Sequence, residues 1–368
     1  MSGRFPSLNG WRAVSILLVL GSHTQYIVGP TPAQSHFFAT WLDGNLGVRF
    51  FFSISGFLIT WLMLVEETEH KGVGLKNFYI RRCLRIWPVY FSFVAVVLAF
   101  QLSGFKSQSA ESWRGLLTFT RNFYDLNAGV HSDFLTTHIW SLSVEEQFYV
   151  FWPLAFCFLG NCGRIVILAF AICLSVAFRT IGVLGLYDRH LDHFLFQNDS
   201  TFNYLDCIGW GCLGAFALAR NKLKIQAFTK TNSTLVFLTC ASMVLIPYLA
   251  QFGKGIQAVG FIGLILHSVL CPDWAFYRLL NRPWMERIGI LSYSLYVWQE
   301  LVWYLWPAFL GKVWVLWIPM TFGIAWVSYN VLETPFFSLR SKFRPMAPTR
   351  SQPTSERNAD GQEKVQYS

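Results

Sequence analysis

The most regular feature of the chain is a series of apolar segments, each about as long as a membrane-crossing helix, separated by short polar stretches. The hydrocarbon core of a bilayer is about 30 Å thick, which a helix of roughly 20 residues spans. The pattern predicts an all-α polytopic membrane protein with about ten transmembrane helices. The predicted spans are residues 13–28, 46–64, 86–102, 141–159, 165–182, 204–219, 233–250, 255–270, 288–308 and 313–332, with a tight turn around Gly253 and Gly255.

The distribution of charge gives these spans a direction. Charged residues make up 13% of the chain, against roughly 25% in an ordinary soluble protein, and the formal net charge is +9. With the amino terminus in the cytoplasm, 21 of the 29 Lys and Arg lie in inner segments and 6 in outer ones. This positive-inside pattern predicts that both termini are cytoplasmic. The positive charge therefore reflects membrane topology and indicates no nucleic-acid partner.

Two segments lie outside the membrane pattern. Residues 103–140 form a long outer loop, long enough to bind an acceptor or to cover a site. Residues 339–368 are polar and basic, which predicts a disordered cytoplasmic tail after a membrane-embedded domain at 1–338. The eight cysteines include no C-x-x-C spacing, so we expect free thiols and no metal site.

Ionisable side chains inside a membrane are costly, so each one in a predicted span is a candidate for function. Arg12 stands at the cytoplasmic start of the first span. His23 follows about three turns and roughly 16 Å later, on nearly the same helix face. This stripe could join the inner surface to an imidazole in the outer half. A histidine bonded to a backbone carbonyl, beside an unrelated cytoplasmic Arg, explains the spacing equally well.

Arg49 lies near the outer end of the second span, at about the depth of His23. It is a candidate for stabilising an anion or an oxyanion, and snorkelling toward the outer headgroups is an equal alternative. Glu300 lies well within the ninth span. We expect it to pair with Arg49 or Arg179, in a structural ion pair or in chemistry.

Two adjacent carboxylates open the fourth span. Ser143 and Glu146 have the spacing of a capping box, which gives Glu146 a structural explanation, whereas Glu145 has none. At the outer membrane boundary, Glu145 and Glu146 could together orient an imidazole or bind a hydroxyl substrate.

Arg82 and Arg85 stand at the cytoplasmic entry to the third span. Their spacing of three residues places both guanidinium groups side by side on a helix, where they can bind phosphate oxygens. One interpretation is a phosphate-bearing cytosolic ligand. Binding to anionic lipid headgroups is the other, and it is the more common case.

These segments together resemble the acyltransferase-3 family of integral membrane O-acyltransferases. The matching segments are Leu-Asn-Gly-Trp-Arg-Ala at 8–13 leading to His23, residues 47–60, the pair Arg82 and Arg85, residues 138–148 with Trp-Ser-Leu-Ser-Val-Glu-Glu-Gln-Phe, and Ser-Tyr-Ser-Leu-Tyr-Val-Trp at 292–298. They follow the family's order over most of the membrane region. Asn9 stands where Asp is usual and Gln299 where His is common, and we expect no fused esterase-like domain after the last span.

The resemblance implies an enzyme that transfers an acyl group, expected to be acetyl, from cytosolic acyl-CoA to a carbohydrate hydroxyl at the outer face of the membrane. The acceptor could be a surface or exported polysaccharide, a glycolipid or an oligosaccharide. The protein is expected in the plasma membrane or the bacterial inner membrane, in contact with membrane lipid. Acyl-CoA is then a co-substrate, and no permanently bound cofactor is expected.

The resemblance also implies roles for single residues. His23 matches the catalytic imidazole, Arg12 its companion in the Arg-x10-His motif, and Arg82 and Arg85 the acyl-CoA-binding pair. An imidazole suits the removal of a hydroxyl proton near neutral pH.

The remaining candidates are assigned by chemistry. Arg49 is the expected oxyanion donor, and Glu145 or Glu146 is expected to orient His23 or to bind the acceptor.

The alternative is a transporter or flippase for a carbohydrate-linked lipid, which ten spans with intramembrane charges would suit. The sequence shows no internal repeat and no matching pair of Gly- or Pro-interrupted spans, which favours the acyltransferase.

Overall fold

The described part of each predicted span lies in a helix. The computed structural model describes residues 5–28, 42–105, 107–124, 133–185, 199–245, 253–310, 316–343, 356–357 and 363–364. The helices are α1 (Pro6–Val28), α2 (Gly44–His70), α3 (Leu75–Leu102), α4 (Ala110–Thr118), α5 (Ile139–Phe158), α6 (Asn161–Leu184), α7 (Leu205–Thr231), α8 (Ser233–Leu245), α9 (Gly253–Leu270), α10 (Ala275–Leu280), α11 (Pro283–Leu310), α12 (Trp317–Ser328) and α13 (Thr334–Ser341).

Shorter elements complete the described chain. They are three 3₁₀ turns at Arg121–Phe123, Asp133–Thr136 and Thr201–Asn203, a π-helix at Tyr329–Glu333, and a pair of antiparallel two-residue strands at Glu356–Arg357 and Glu363–Lys364. All eight cysteines are free thiols. Within the described ranges, no group of His, Cys, Asp and Glu side chains is placed to hold a metal ion.

Four helices in the described chain are long and apolar enough to cross a membrane: α2, α3, α6 as far as Gly182, and α9. This agrees with a membrane protein built from helices. The count of ten spans and the cytoplasmic location of both termini stay predictions.

Two local expectations were wrong. Gly253 and Gly255 belong to the first turn of α9 and do not form a separate turn. Ser143 does not cap α5, because that helix already begins at Ile139, and the Ser143 hydroxyl donates to the Ile139 carbonyl at 3.1 Å. The apolar pattern therefore locates each helix better than it locates the helix ends.

The long segment before α5 is folded where it is described. Buried hydroxyl groups of Ser112, in α4, and Thr136 lie 3.0 Å apart, and both hydrogen-bond to the Gln108 carboxamide. This packing leads directly into Thr137 and His138 at the start of α5. The segment thus holds Thr137 and His138 in position.

Helix α1 is held between α2 and α11. Gly47 of α2 lies so close to the Ser15 carbonyl that an added Cβ would overlap it, and Gly289 of α11 meets Asn9 of α1 in the same way. Without side chains at these two positions the backbones approach closely, as small residues allow between membrane helices. The position of His23 near the end of α1 therefore depends on backbone contact with both neighbours.

Gly289→Ala should destabilise the protein by about 1–3 kcal/mol, because its Cβ would force α1 away from α11. The thermal unfolding midpoint of the detergent-solubilised protein measures this effect. Gly323→Ala is the matched control, since a Cβ at this position in α12 meets nothing within 4 Å. Equal midpoints for the two variants would show that the α1–α11 contact is not tight.

Candidate active site

Two cavities meet inside the helix bundle, and they share Val48 and Tyr296 as part of their walls. The arginine cavity, about 80 Å³, is lined by Arg12, Arg82, Arg85 and Glu145 among others. The histidine cavity, about 250 Å³, is lined by His23, Asp43, His138, Gln299 and Glu300 among others. The shared wall of Val48 and Tyr296, called the partition below, therefore separates a cationic cavity from a cavity that contains two imidazoles.

The arginine cavity joins side chains from five helices. Arg12 comes from α1, Arg82 and Arg85 from α3, and Glu145 from α5, and residues of α2 and α11 complete the wall. The Arg82 guanidinium lies 5.1 Å from the centre of the Tyr149 ring, in a cation–π contact. Glu145 accepts hydrogen bonds from Ser55 Oγ at 2.7 Å and from the Tyr149 hydroxyl at 3.3 Å. Three guanidinium groups face one carboxylate, so this cavity suits an anionic ligand.

The histidine cavity is organised around the buried carboxylate of Glu300. Its Oε2 accepts from the Thr137 hydroxyl at 2.8 Å and from the His138 backbone N–H at 3.2 Å, and it lies 2.8 Å from His138 Nδ1. Its Oε1 lies 3.6 Å from Nε2 of His23. The carboxylate thus stands between two imidazoles that are more than a hundred residues apart in the chain.

The hydrogen bonds of His23 determine which of its nitrogens can act as a base. Its Nδ1 lies 3.0 Å from the Val19 carbonyl, which can only accept, so this nitrogen carries the proton and donates. Nε2 then carries the lone electron pair of the neutral ring, on the side of Glu300. A proton taken up at Nε2 would be stabilised by the carboxylate.

His138 is bonded differently. Its Nδ1 faces Glu300 and its Nε2 lies 3.0 Å from the Val297 carbonyl, so both ring nitrogens face oxygen acceptors. Neither nitrogen faces the open cavity. His138 is therefore placed as a hydrogen-bonded partner of Glu300, and not as a base.

Comparison with known proteins identifies the family of this chain. A family model described as an acyltransferase domain matches residues 5–332. The chain belongs to this acyltransferase family. No solved structure matches the chain.

Two relatives in the family are O-acetyltransferases by name. O-acetyltransferase OatA of Staphylococcus aureus (strain NCTC 8325 / PS 47) is 26% identical over 360 residues, which is 90% of this chain and 57% of that protein. Peptidoglycan O-acetyltransferase OatA of Listeria monocytogenes is 25% identical over 362 residues, which is 90% of this chain and 55% of that protein. The chain thus spans a little over half the length of these relatives.

The arginine cavity brings together Arg12, Arg82, Arg85 and Glu145 of the expected residues, while His23 lines the neighbouring cavity. Glu146 lines neither cavity, and its Oε1 has no hydrogen-bond partner in the described part of the chain. The carboxylate beside His23 is therefore that of Glu300, and neither Glu145 nor Glu146 is in a position to orient the imidazole.

The expected partners of Glu300 were wrong. Arg49 is buried with its Nη2 3.4 Å from Asp43, and it does not line the histidine cavity. Arg179 forms a buried pair with Asp206 at 2.5 Å. Each arginine thus forms an ion pair with a different acid, and not with Glu300.

Several residues of the site were missed in the sequence. His138 was visible as part of a family motif, but nothing in its spacing indicated contact with Glu300. Tyr296 was likewise part of a segment that matches the family, whereas Thr137 and Asp43 gave no signal beyond their polarity. Their roles become visible only when α1, α5 and α11 are brought together.

Glu300→Gln should lower the thermal unfolding midpoint markedly, because it breaks the buried pair with His138 and weakens the hydrogen bonds that the carboxylate accepts from Thr137 and the His138 backbone. Breaking a buried pair costs a few kcal/mol. Glu67→Gln is the control, since Glu67 pairs with Arg164 at 2.7 Å but is 37% exposed. A smaller loss for Glu300→Gln than for Glu67→Gln would contradict the central role of this carboxylate.

Proposed function

We propose that the chain is a membrane O-acyltransferase that moves an acetyl group from cytosolic acyl-CoA to a hydroxyl of a carbohydrate at the outer side of the membrane. The observation that carries the proposal is the meeting of the arginine cavity and the histidine cavity at one partition. Family membership supports acyl transfer, and the printed name of the Listeria relative supports a glycan as acceptor.

The arginine cavity suits the donor. Acyl-CoA carries several phosphate groups, and Arg82 and Arg85 can bind phosphate oxygens from adjacent positions on α3. Arg12 adds a third positive charge from α1, and Glu145 balances part of this charge and holds Tyr149. The flexible pantetheine arm then extends past Tyr296, and its thioester enters the histidine cavity.

The histidine cavity suits the acceptor. An acceptor hydroxyl that attacks the thioester loses its proton to Nε2 of His23, and Glu300 stabilises the resulting imidazolium. His138 fixes the carboxylate, so it is a positioning residue. Arg49 acts on this cavity through Asp43, which lines the wall.

His23→Ala should abolish acetylation while the protein still inserts and accumulates, because no other lone-pair nitrogen faces Glu300 in the described cavity. Mass spectrometry of surface glycans from cells with and without the protein, and with this variant, identifies the ester that is lost. Near-normal ester content in the variant would reject His23 as the base.

The purified protein in lipid vesicles separates the enzyme from a transporter. With labelled acetyl-CoA and peptidoglycan glycan chains, we expect ester product without any ion gradient. Movement of a lipid-linked carbohydrate with no ester product would favour the flippase alternative.

Replacing both Arg82 and Arg85 by Gln should weaken acetyl-CoA binding by at least about 10-fold, since a charge-assisted hydrogen bond contributes about 1.5–3 kcal/mol. Isothermal titration of the solubilised protein measures the affinity. Arg81→Gln is the matched control, because the adjacent Arg81 pairs with Glu66 at 2.9 Å and does not line the arginine cavity. Unchanged affinity in the double variant would reject the donor assignment.

A further inference from the structure

Gln299 is fully buried in the wall of the histidine cavity, and its side chain is unsatisfied. Neither Nε2 nor Oε1 has a hydrogen-bond partner of ordinary geometry among the described residues. A side-chain hydrogen-bonding contribution from Gln299 nevertheless acts on His23, so the carboxamide lies beside the imidazole. Gln299 follows Tyr296 by three residues on α11, which places both on the same helix face. Both residues line the histidine cavity.

Other buried or half-buried glutamines in the described chain have hydrogen-bond partners. Gln257 of α9 donates to the Val244 carbonyl at 3.1 Å. Gln147 of α5 donates to the Phe119 carbonyl and to Asn122, and accepts from Thr201. An amide buried without partners costs at least about 1–3 kcal/mol, so the unpaired Gln299 needs an explanation.

The chemistry of the cavity supplies one. An acyl transfer passes through a tetrahedral species whose carbonyl oxygen becomes negative, and a side-chain amide is an established type of donor to such an oxygen. Gln299 lines the same cavity as Nε2 of His23, the base that would face the attacking hydroxyl. We propose that Gln299 Nε2 donates a hydrogen bond to the thioester oxygen as it becomes an oxyanion.

This inference rests on the proposed function and assigns one step of it. The acceptor oxygen forms a bond to the carbonyl carbon, its proton moves to Nε2 of His23, and the C=O π pair moves onto the oxygen held by Gln299. When the C=O bond forms again, the C–S bond breaks. The CoA sulfur leaves with that electron pair and takes the proton from His23, which gives an ester and a free thiol.

The structure favours Gln299 over Arg49 for this role. Arg49 does not line the histidine cavity and is held by Asp43, whereas Gln299 belongs to the wall and its Nε2 has no hydrogen-bond partner in the described chain. A donor that is already bonded must give up that bond before it can stabilise an oxyanion. The Nε2 group of Gln299 has no such bond to give up.

The test compares Gln299→Leu with Gln299→His in purified protein. Turnover of labelled acetyl-CoA is measured with peptidoglycan glycan chains as acceptor, and with water alone. Gln299→Leu, which has no donor, should lower kcat by about 10²–10³-fold, as loss of one oxyanion donor does. The dissociation constant of acetyl-CoA from titration should stay within about twofold, because Gln299 does not line the arginine cavity.

Gln299→His keeps one N–H donor and should recover at least about tenfold of the lost kcat. Gln257→Leu is the matched control. It removes a buried, hydrogen-bonded amide that lines neither cavity, and it should leave kcat unchanged.

Full activity of Gln299→Leu would overturn the inference and leave the proposed function intact. Equal losses in Gln299→Leu and Gln299→His, or a loss in Gln299→Leu that follows weaker acetyl-CoA binding, would also overturn it. If the unmodified protein turned over no acetyl-CoA with either acceptor, the proposed function would fail first and the inference with it.

Discussion

The geometry of the site depends on the buried carboxylate of Glu300. A negative charge in the interior of a membrane protein needs a partner and hydrogen bonds. His138 Nδ1 lies 2.8 Å from one carboxylate oxygen, and the Thr137 hydroxyl donates to the same oxygen. The second oxygen faces His23 across 3.6 Å. One residue of α11 thereby fixes the start of α5 and determines the surroundings of an imidazole on α1.

The partition between the cavities is tied to the same group of residues. The Tyr296 hydroxyl donates to the His138 carbonyl at 2.9 Å and lies 2.5 Å from Ser141 Oγ. A change at Tyr296 would therefore be transmitted to the His138 backbone, whose N–H also binds Glu300. The partition between the arginine cavity and the histidine cavity is thus coupled through His138 to Glu300.

The sequence predicted the helices well because a membrane imposes one length and one composition on everything that crosses it. It also placed Arg82 and Arg85 side by side, since they are close in sequence and their helix geometry follows from spacing alone. That Arg12 and Glu145 line the same cavity did not follow from the sequence. The sequence did not predict which helices distant in the chain contact each other. His138 lies 162 residues from Glu300, and spacing gives the depth of a residue but not the neighbour that it faces. Arg49 and Arg179 have suitable depths, yet each faces a different acid.

Gln299 shows why a departure from a family pattern is hard to interpret from sequence. A glutamine next to Glu300 could be a neutral structural replacement. The observation that points to a ligand is that its buried amide nitrogen has no hydrogen-bond partner in the described chain. A neutral donor is also the one compatible with this cavity. A guanidinium in the same place would pair with Glu300 and withdraw the carboxylate from His23, whereas an amide can bind an oxyanion without competing for the charge that the base requires.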